Sequence, residues 1–223
     1  MLTFKNLKNE EVLKLENQIQ VGKNSVSSLV LAQKNGVGLT LFAFDKGESI
    51  GTHSAPGDAM VIVLAGKVEI TIGSEKYILS QGESIVMPAN IPHSLLALEE
   101  FKMLLTVVRI AGESAMTGIN NIEKSKIMKL QDSLHYNKGG IVSKRIYQRE
   151  SATSILFSIS AGEEIENNRV NNDTLIFNLE GTLRVNIEET DHILNSEEII
   201  LIPADRLYEI TGETDSKYQL IEM

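Results

Sequence analysis

The chain of 223 residues contains no cysteine. Disulfides, thiolate metal ligands and a cysteine nucleophile are thereby excluded, and a reducing compartment fits. Long apolar runs are missing too: AMVIVLAG, from Ala59 to Gly66, falls far short of a membrane span. The opening MLTFKNLKNEEVLKLENQ is too polar and too acidic for a secretory signal, so the expected location is the cytoplasm. Basic residues number 21 against 30 acidic ones, a formal net charge of −9. No Lys/Arg cluster builds a basic face against that balance, so neither nucleic acid nor membrane is an expected partner. Four prolines and 16 glycines are too few for a low-complexity chain. No strand-to-helix GxGxxG, phosphate loop or serine elbow near a histidine occurs, which indicates neither a nucleotide cofactor nor a Ser-His-Asp mechanism.

What is present is an internal repeat. Slid against itself by 115 residues without a gap, the sequence places Lys14-Leu15 on Lys129-Leu130, Phe42 on Phe157 and Gly47-Glu48 on Gly162-Glu163. Leu64 then meets Leu179, Gly66 meets Gly181, Glu83 meets Glu198, and Pro88-Ala89 meets Pro203-Ala204. Two domains follow, residues 1–110 and 127–223, joined by a small, polar linker at 111–126 expected to run over the surface.

Within each copy the apolar runs are short, β-branched and bounded by turn residues, as in VGLTLFAF and KVEITIG of the first copy and TSILFSIS and EEIILIP of the second. That pattern is all-β. In Lys67-Val68-Glu69-Ile70-Thr71-Ile72 polar and apolar side chains alternate, which predicts a strand with one solvated face and a barrel with an apolar inside. Gly73-Ser74 supplies a hairpin turn. Leu7 to Leu15 suits a short amphipathic helix or an added edge strand equally.

The segments Gly47 to Gly66 and Gly82 to Ala97 resemble the two signature motifs of the cupin superfamily, with Gly47, His53, Gly66, Gly82, Pro88 and His93 in register. The resemblance spans nearly all of each repeat. It implies a bicupin: two tandem double-stranded β-helix barrels of jelly-roll type, with the site in the barrel mouth. In that family three histidines and a glutamate hold a divalent transition metal. Here the second histidine position is Ala55 and the glutamate position Ala59. Asp58, one residue earlier, belongs to the opposite face of a regular strand and reaches the site only through a bulge. The second copy has Asn168, Val170, Thr174 and Tyr208 at the four ligand positions, so the resemblance implies no metal there and a scaffold role.

Cupins serve many chemistries, so function has to come from the site. Two histidines with water hold a metal weakly. The first expectation is a protein that binds a small molecule in the first barrel, contacted by His53, His93 and Tyr208. The alternative is a metal-dependent enzyme of dioxygenase or isomerase type, using His53 and His93, with Asp58 as third ligand and zinc, nickel, manganese or iron as the metal. A third reading is a metal-free isomerase or epimerase with a histidine base and Tyr208 as acid. His135, His192 and the Glu188-Glu189-Thr190-Asp191 turn are expected at the solvated surface. Association into a homodimer is left open.

Overall fold

The structure, a computed structural model, describes residues 3–110, 118–150 and 152–223. It is built almost wholly of strands, beginning with β1 (Leu13–Lys14). Then come β2 (Val26–Lys34), β3 (Val37–Phe44), β4 (Ser49–His53), β5 (Gly57–Ala65) and β6 (Lys67–Ile72). β7 (Glu75–Ser80), β8 (Ser84–Met87), β9 (His93–Ala97) and β10 (Phe101–Arg109) complete the first copy. The second copy contains β11 (Ile141–Arg149), β12 (Ala152–Ile159), β13 (Glu164–Arg169), β14 (Thr174–Glu180) and β15 (Leu183–Ile187). It closes with β16 (Thr190–Leu194), β17 (Glu198–Ile202), β18 (Leu207–Gly212) and β19 (Ser216–Glu222). Among the described residues no helix is long and apolar enough to cross a membrane.

The first barrel is made of two antiparallel sheets, ordered β2-β3-β10-β5-β8 and β4-β9-β6-β7. Between them lies an apolar cluster that includes Phe44, Val61, Phe101 and Met103 from one sheet and Val68, Ile70 and Leu95 from the other. β6 alternates half-buried and buried residues along its whole length, as the period of two in its sequence demands. Each fully buried aliphatic side chain contributes about 1.5–3 kcal/mol relative to exposure, so this cluster is the main stabilising feature of the barrel. The second barrel repeats the plan, with sheets ordered β1-β17-β14-β19-β12-β11 and β13-β18-β15-β16.

The boundaries expected from the sequence, at 110 and 127, differ from those of the folded units. One compact unit is residues 15–129, and the other combines 1–14 with 130–223. The reason is a pair of equivalent arms. In the first barrel Ser84 and Met128 bond reciprocally through their backbones (2.7 and 3.0 Å), and Ser125 N–H donates to Val86 O at 2.8 Å. In the second barrel Leu13 pairs with Ile199 and Glu10 N–H donates to Leu201 O at 2.8 Å, the same contacts 115 residues apart. Residues 118–126 are therefore not a surface linker. Ile119 and Ile122 are buried, which a solvated connection of the kind expected would not do. Residues 111–117 of that linker lie outside the described residues. The ambiguous stretch before Leu15 ends in the two-residue strand β1, followed by a single 3-10 turn at Leu15–Gln18.

Candidate functional site

His53 ends β4 and His93 begins β9, and the antiparallel register sets them directly opposite each other after an irregularity between Ile50 and His53. Their rings lie 4.5 Å apart, centre to centre, at 63°. Each ring meets a carbonyl two residues earlier in its own chain: His53 Nδ1 lies 2.9 Å from Gly51 O and His93 Nδ1 2.9 Å from Ile91 O. A carbonyl only accepts, so Nδ1 carries the proton and Nε2 keeps a bare lone pair on both rings. His53 is exposed and His93 only 3% exposed. Burial pulls the His93 imidazole below its ordinary value; the Ile91 carbonyl opposes this and the neighbouring His53 reinforces it.

In the other sheet of the same barrel one rung has Gly38, Val107, Ala59 and Met87 as successive partners. Ala59 and Met87 belong to the lumen cluster, with Phe42, Leu105 and Val107 packed against it. A side chain at Gly38 would meet nothing within 4 Å, so the lumen has room at this level. The first barrel thus carries two facing imidazoles on one sheet and an apolar rung on the other.

Asp58 sits elsewhere. Alternating with Ala59 along β5, it points away from the lumen and is fully buried. Its Oδ1 accepts from Ala89 N–H (3.1 Å), and its Oδ2 from Ile119 N–H (2.8 Å) and Lys124 Nζ (2.6 Å). This carboxylate fastens the 118–129 arm. Asp173 does the same in the second barrel, accepting from Ala204 N–H at 3.0 Å and Thr3 N–H at 2.6 Å. Sequence reasoning missed that role, although the two aspartates are 115 residues apart and so identical between the repeats.

In the second barrel Asn168 stands opposite Tyr208 as His53 stands opposite His93. Asn168 Nδ2 donates to Ile165 O at 3.2 Å, Thr174 is fully buried and Val170 packs on the lumen cluster. Tyr208 belongs to that cluster and to the second barrel, whereas the two histidines belong to the first. Burial, then the Glu222 carboxylate, push its phenol up to about 12, with the adjacent Thr174 hydroxyl opposing them. The apolar interior expected from the sequence is found in the first barrel, and the second barrel's core, also largely aliphatic, includes the buried Tyr208 and Tyr218. His135 is exposed, and His192 is half-buried on β16.

A cupin domain model matches residues 40–109, which contain both histidines. The chain belongs to the cupin superfamily. Its whole length is shared with a Cupin 2 conserved barrel domain protein from Leptotrichia buccalis, at a TM-score of 0.82 and 21% identity over 97% of this chain and 98% of that one. A salicylate 1,2-dioxygenase from Pseudaminobacter salicylatoxidans matches at a TM-score of 0.61 and 12% identity, over 88% of this chain and 76% of that one. A conserved protein of unknown function from Streptococcus pyogenes is 45% identical, covering 50% of this chain and 98% of that one at a TM-score of 0.49. No curated protein matches.

The metal that the cupin fold implies can now be tested against the residues. Two of the four ligand positions of this cupin are methyl groups, Ala55 and Ala59, and the nearest carboxylate, Asp58, is committed to two backbone amides and an ammonium. No group of three or more His, Asp or Glu side chains among the described residues is placed to hold a metal ion. A resident centre needs three or four protein donors, so the residues do not fit one.

Proposed function

We propose that the first barrel binds a small organic molecule in its mouth. An apolar body would lie against Phe42, Leu105, Val107 and Met87, and a hydroxyl or N–H donor would bond the bare Nε2 atoms of His53 and His93. The observation that carries this reading is the tautomer pinned on both rings by Gly51 O and Ile91 O, which leaves two acceptors on one sheet and an apolar rung on the other. The ligand class that suits it is a hydroxylated hydrocarbon or aromatic. A cytoplasmic setting accords with the absence of cysteine.

The test is ligand-induced thermal stabilisation with a chelator present throughout, for wild type, His53→Ala and His93→Ala. A ligand at one hundred times its Kd should stabilise the wild type by about 2.7 kcal/mol and both variants by much less. No stabilisation by any ligand in the presence of chelator, or equal stabilisation of the wild type and both variants, overturns the reading.

The second reading, a metal-dependent enzyme of dioxygenase or isomerase type, has only the two imidazoles for it and lacks a third protein donor among the described residues. It requires stoichiometric zinc, nickel, manganese or iron in the wild type and none in His53→Ala, measured by plasma mass spectrometry. An empty wild type after incubation with each metal disposes of it.

A further inference from the structure

The polar groups missing from the first barrel have counterparts in the second. The rung Gly38, Val107, Ala59, Met87 is matched, 115 residues on, by Thr153, Glu222, Thr174 and Ile202, which are likewise successive partners across the sheet. Met103 is matched by Tyr218 and His93 by Tyr208. In the second barrel this rung therefore carries a carboxylate and two threonines, with Tyr208 on the facing sheet and Tyr218 four residues along β19 from Glu222, on one rung with Phe157.

Three observations say what this lining is suited to hold. Tyr218 is fully buried in the lumen cluster, stacked on Phe157 at 5.1 Å and 13°, and its hydroxyl has no hydrogen-bond partner among the described residues. A buried donor of that kind costs free energy unless something fills the space before it. Glu222, on the lumen face of β19, forms no ion pair among the described residues, and burial pushes its carboxyl above the ordinary range. An anion in that position lacks a cation. Tyr208 also lines an open cleft of about 570 Å³, shared with Arg169, Asn186, Glu188, Glu189 and Glu209. Of its three carboxylates Glu188 is paired with Arg206, which leaves Glu189 and Glu209 against Arg169, a small negative excess.

We propose that the second barrel is a metal-free binding site for a small organic ammonium compound, its charge paired with Glu222 and its body set against the rings of Tyr208, Tyr218 and Phe157. An ammonium group meets both needs of the lining at once: it neutralises the lone carboxylate, and its substituents rest on aromatic faces whose quadrupoles attract a cation. A metal ion would use neither the rings nor the phenol. The inference stands apart from the reading of the first barrel, since no histidine takes part in it.

Isothermal titration calorimetry on the full chain tests it, with choline, ethanolamine and tert-butylamine as probes and 3,3-dimethylbutan-1-ol, ethylene glycol and tert-butanol as their respective neutral counterparts. At least one ammonium probe is expected to bind while its neutral counterpart does not. Glu222→Gln should weaken binding at least about tenfold, equivalent to about 1.4 kcal/mol, and Tyr218→Phe a few-fold. His53→Ala and chelator should change nothing. Should Glu222→Gln fail to fold, the ring-proton NMR shifts of Tyr208 and Tyr218 in the wild type must move with the ammonium probe alone. Silence from all three ammonium probes, equal binding of a neutral counterpart, or unchanged affinity in Glu222→Gln overturns the proposal.

Discussion

Asp58 and Asp173 illustrate how one side chain sets a local architecture. Each carboxylate is buried and accepts a backbone N–H from the loop after β8 or β17 and another from an arm that arrives from far away in sequence. Asp58→Ala strands two donors and frees Lys124, and should cost about 3 kcal/mol in urea unfolding. His93 gives a pH signature. Its folded-state value lies below the ordinary 6.5, so the unfolded chain binds the proton first as the solution is acidified. Stability is fully present above pH 6.5 and falls as pH drops through the window below it, a slope that His93→Gln should reduce in unfolding measured from pH 7 to pH 5. Glu197 occupies the place of Gly82 with φ of 69°, a region that disfavours a β-carbon. Glu197→Gly should raise stability by about 0.5–1 kcal/mol.

Among the elements, the turns carry the repeat as firmly as the strands do. Gly66 and Gly181 link β5 to β6 and β14 to β15 with φ near +77° and +79°. A β-carbon on Gly66 would come within 1.9 Å of Glu100 O, and one on Gly181 within 2.3 Å of Asp215 O. Gly66→Ala therefore combines a left-handed backbone with a clash against main chain that has no rotamer to yield, and should cost about 3 kcal/mol or more by chemical denaturation. These motif glycines, the alternation in β6 and the Gly73 turn were legible because each is a local matter of period and φ. The opposition of His53 and His93 was legible in kind, since both fall in register with the motif. The arms were not. β1 is two residues long, and nothing within Leu13–Lys14 says that its partner is Glu198–Ile199. The lining of the second lumen escaped for a related reason. Its four ligand positions read as losses, whereas Glu222 and Tyr218 come from β19, a strand the motifs do not include.

At the scale of the whole molecule, the domains of the repeat and the units of the fold are out of phase by one arm. A fragment cut at residue 110 lacks the strand that bonds Ser84 and the amide that caps Asp58, whereas 15–129 contains both. The fragment 15–129 should therefore unfold cooperatively on heating, and 1–110 should show a lower midpoint and bind a hydrophobic dye. Equal midpoints for the two would show that the arm adds nothing to the first barrel.

The exchange of arms also fixes an order of events during synthesis. A ribosome makes residues 1–14 long before their dock, β17. The first barrel receives its last strand by residue 129 and can close while the rest of the chain is still being made. The second must keep residues 1–14 unpaired until β17 has been made, then close around a segment made long before it. Its completion is a late, long-range step, slow by its topology, and through that interval a bare strand edge is exposed to any neighbour that offers a match.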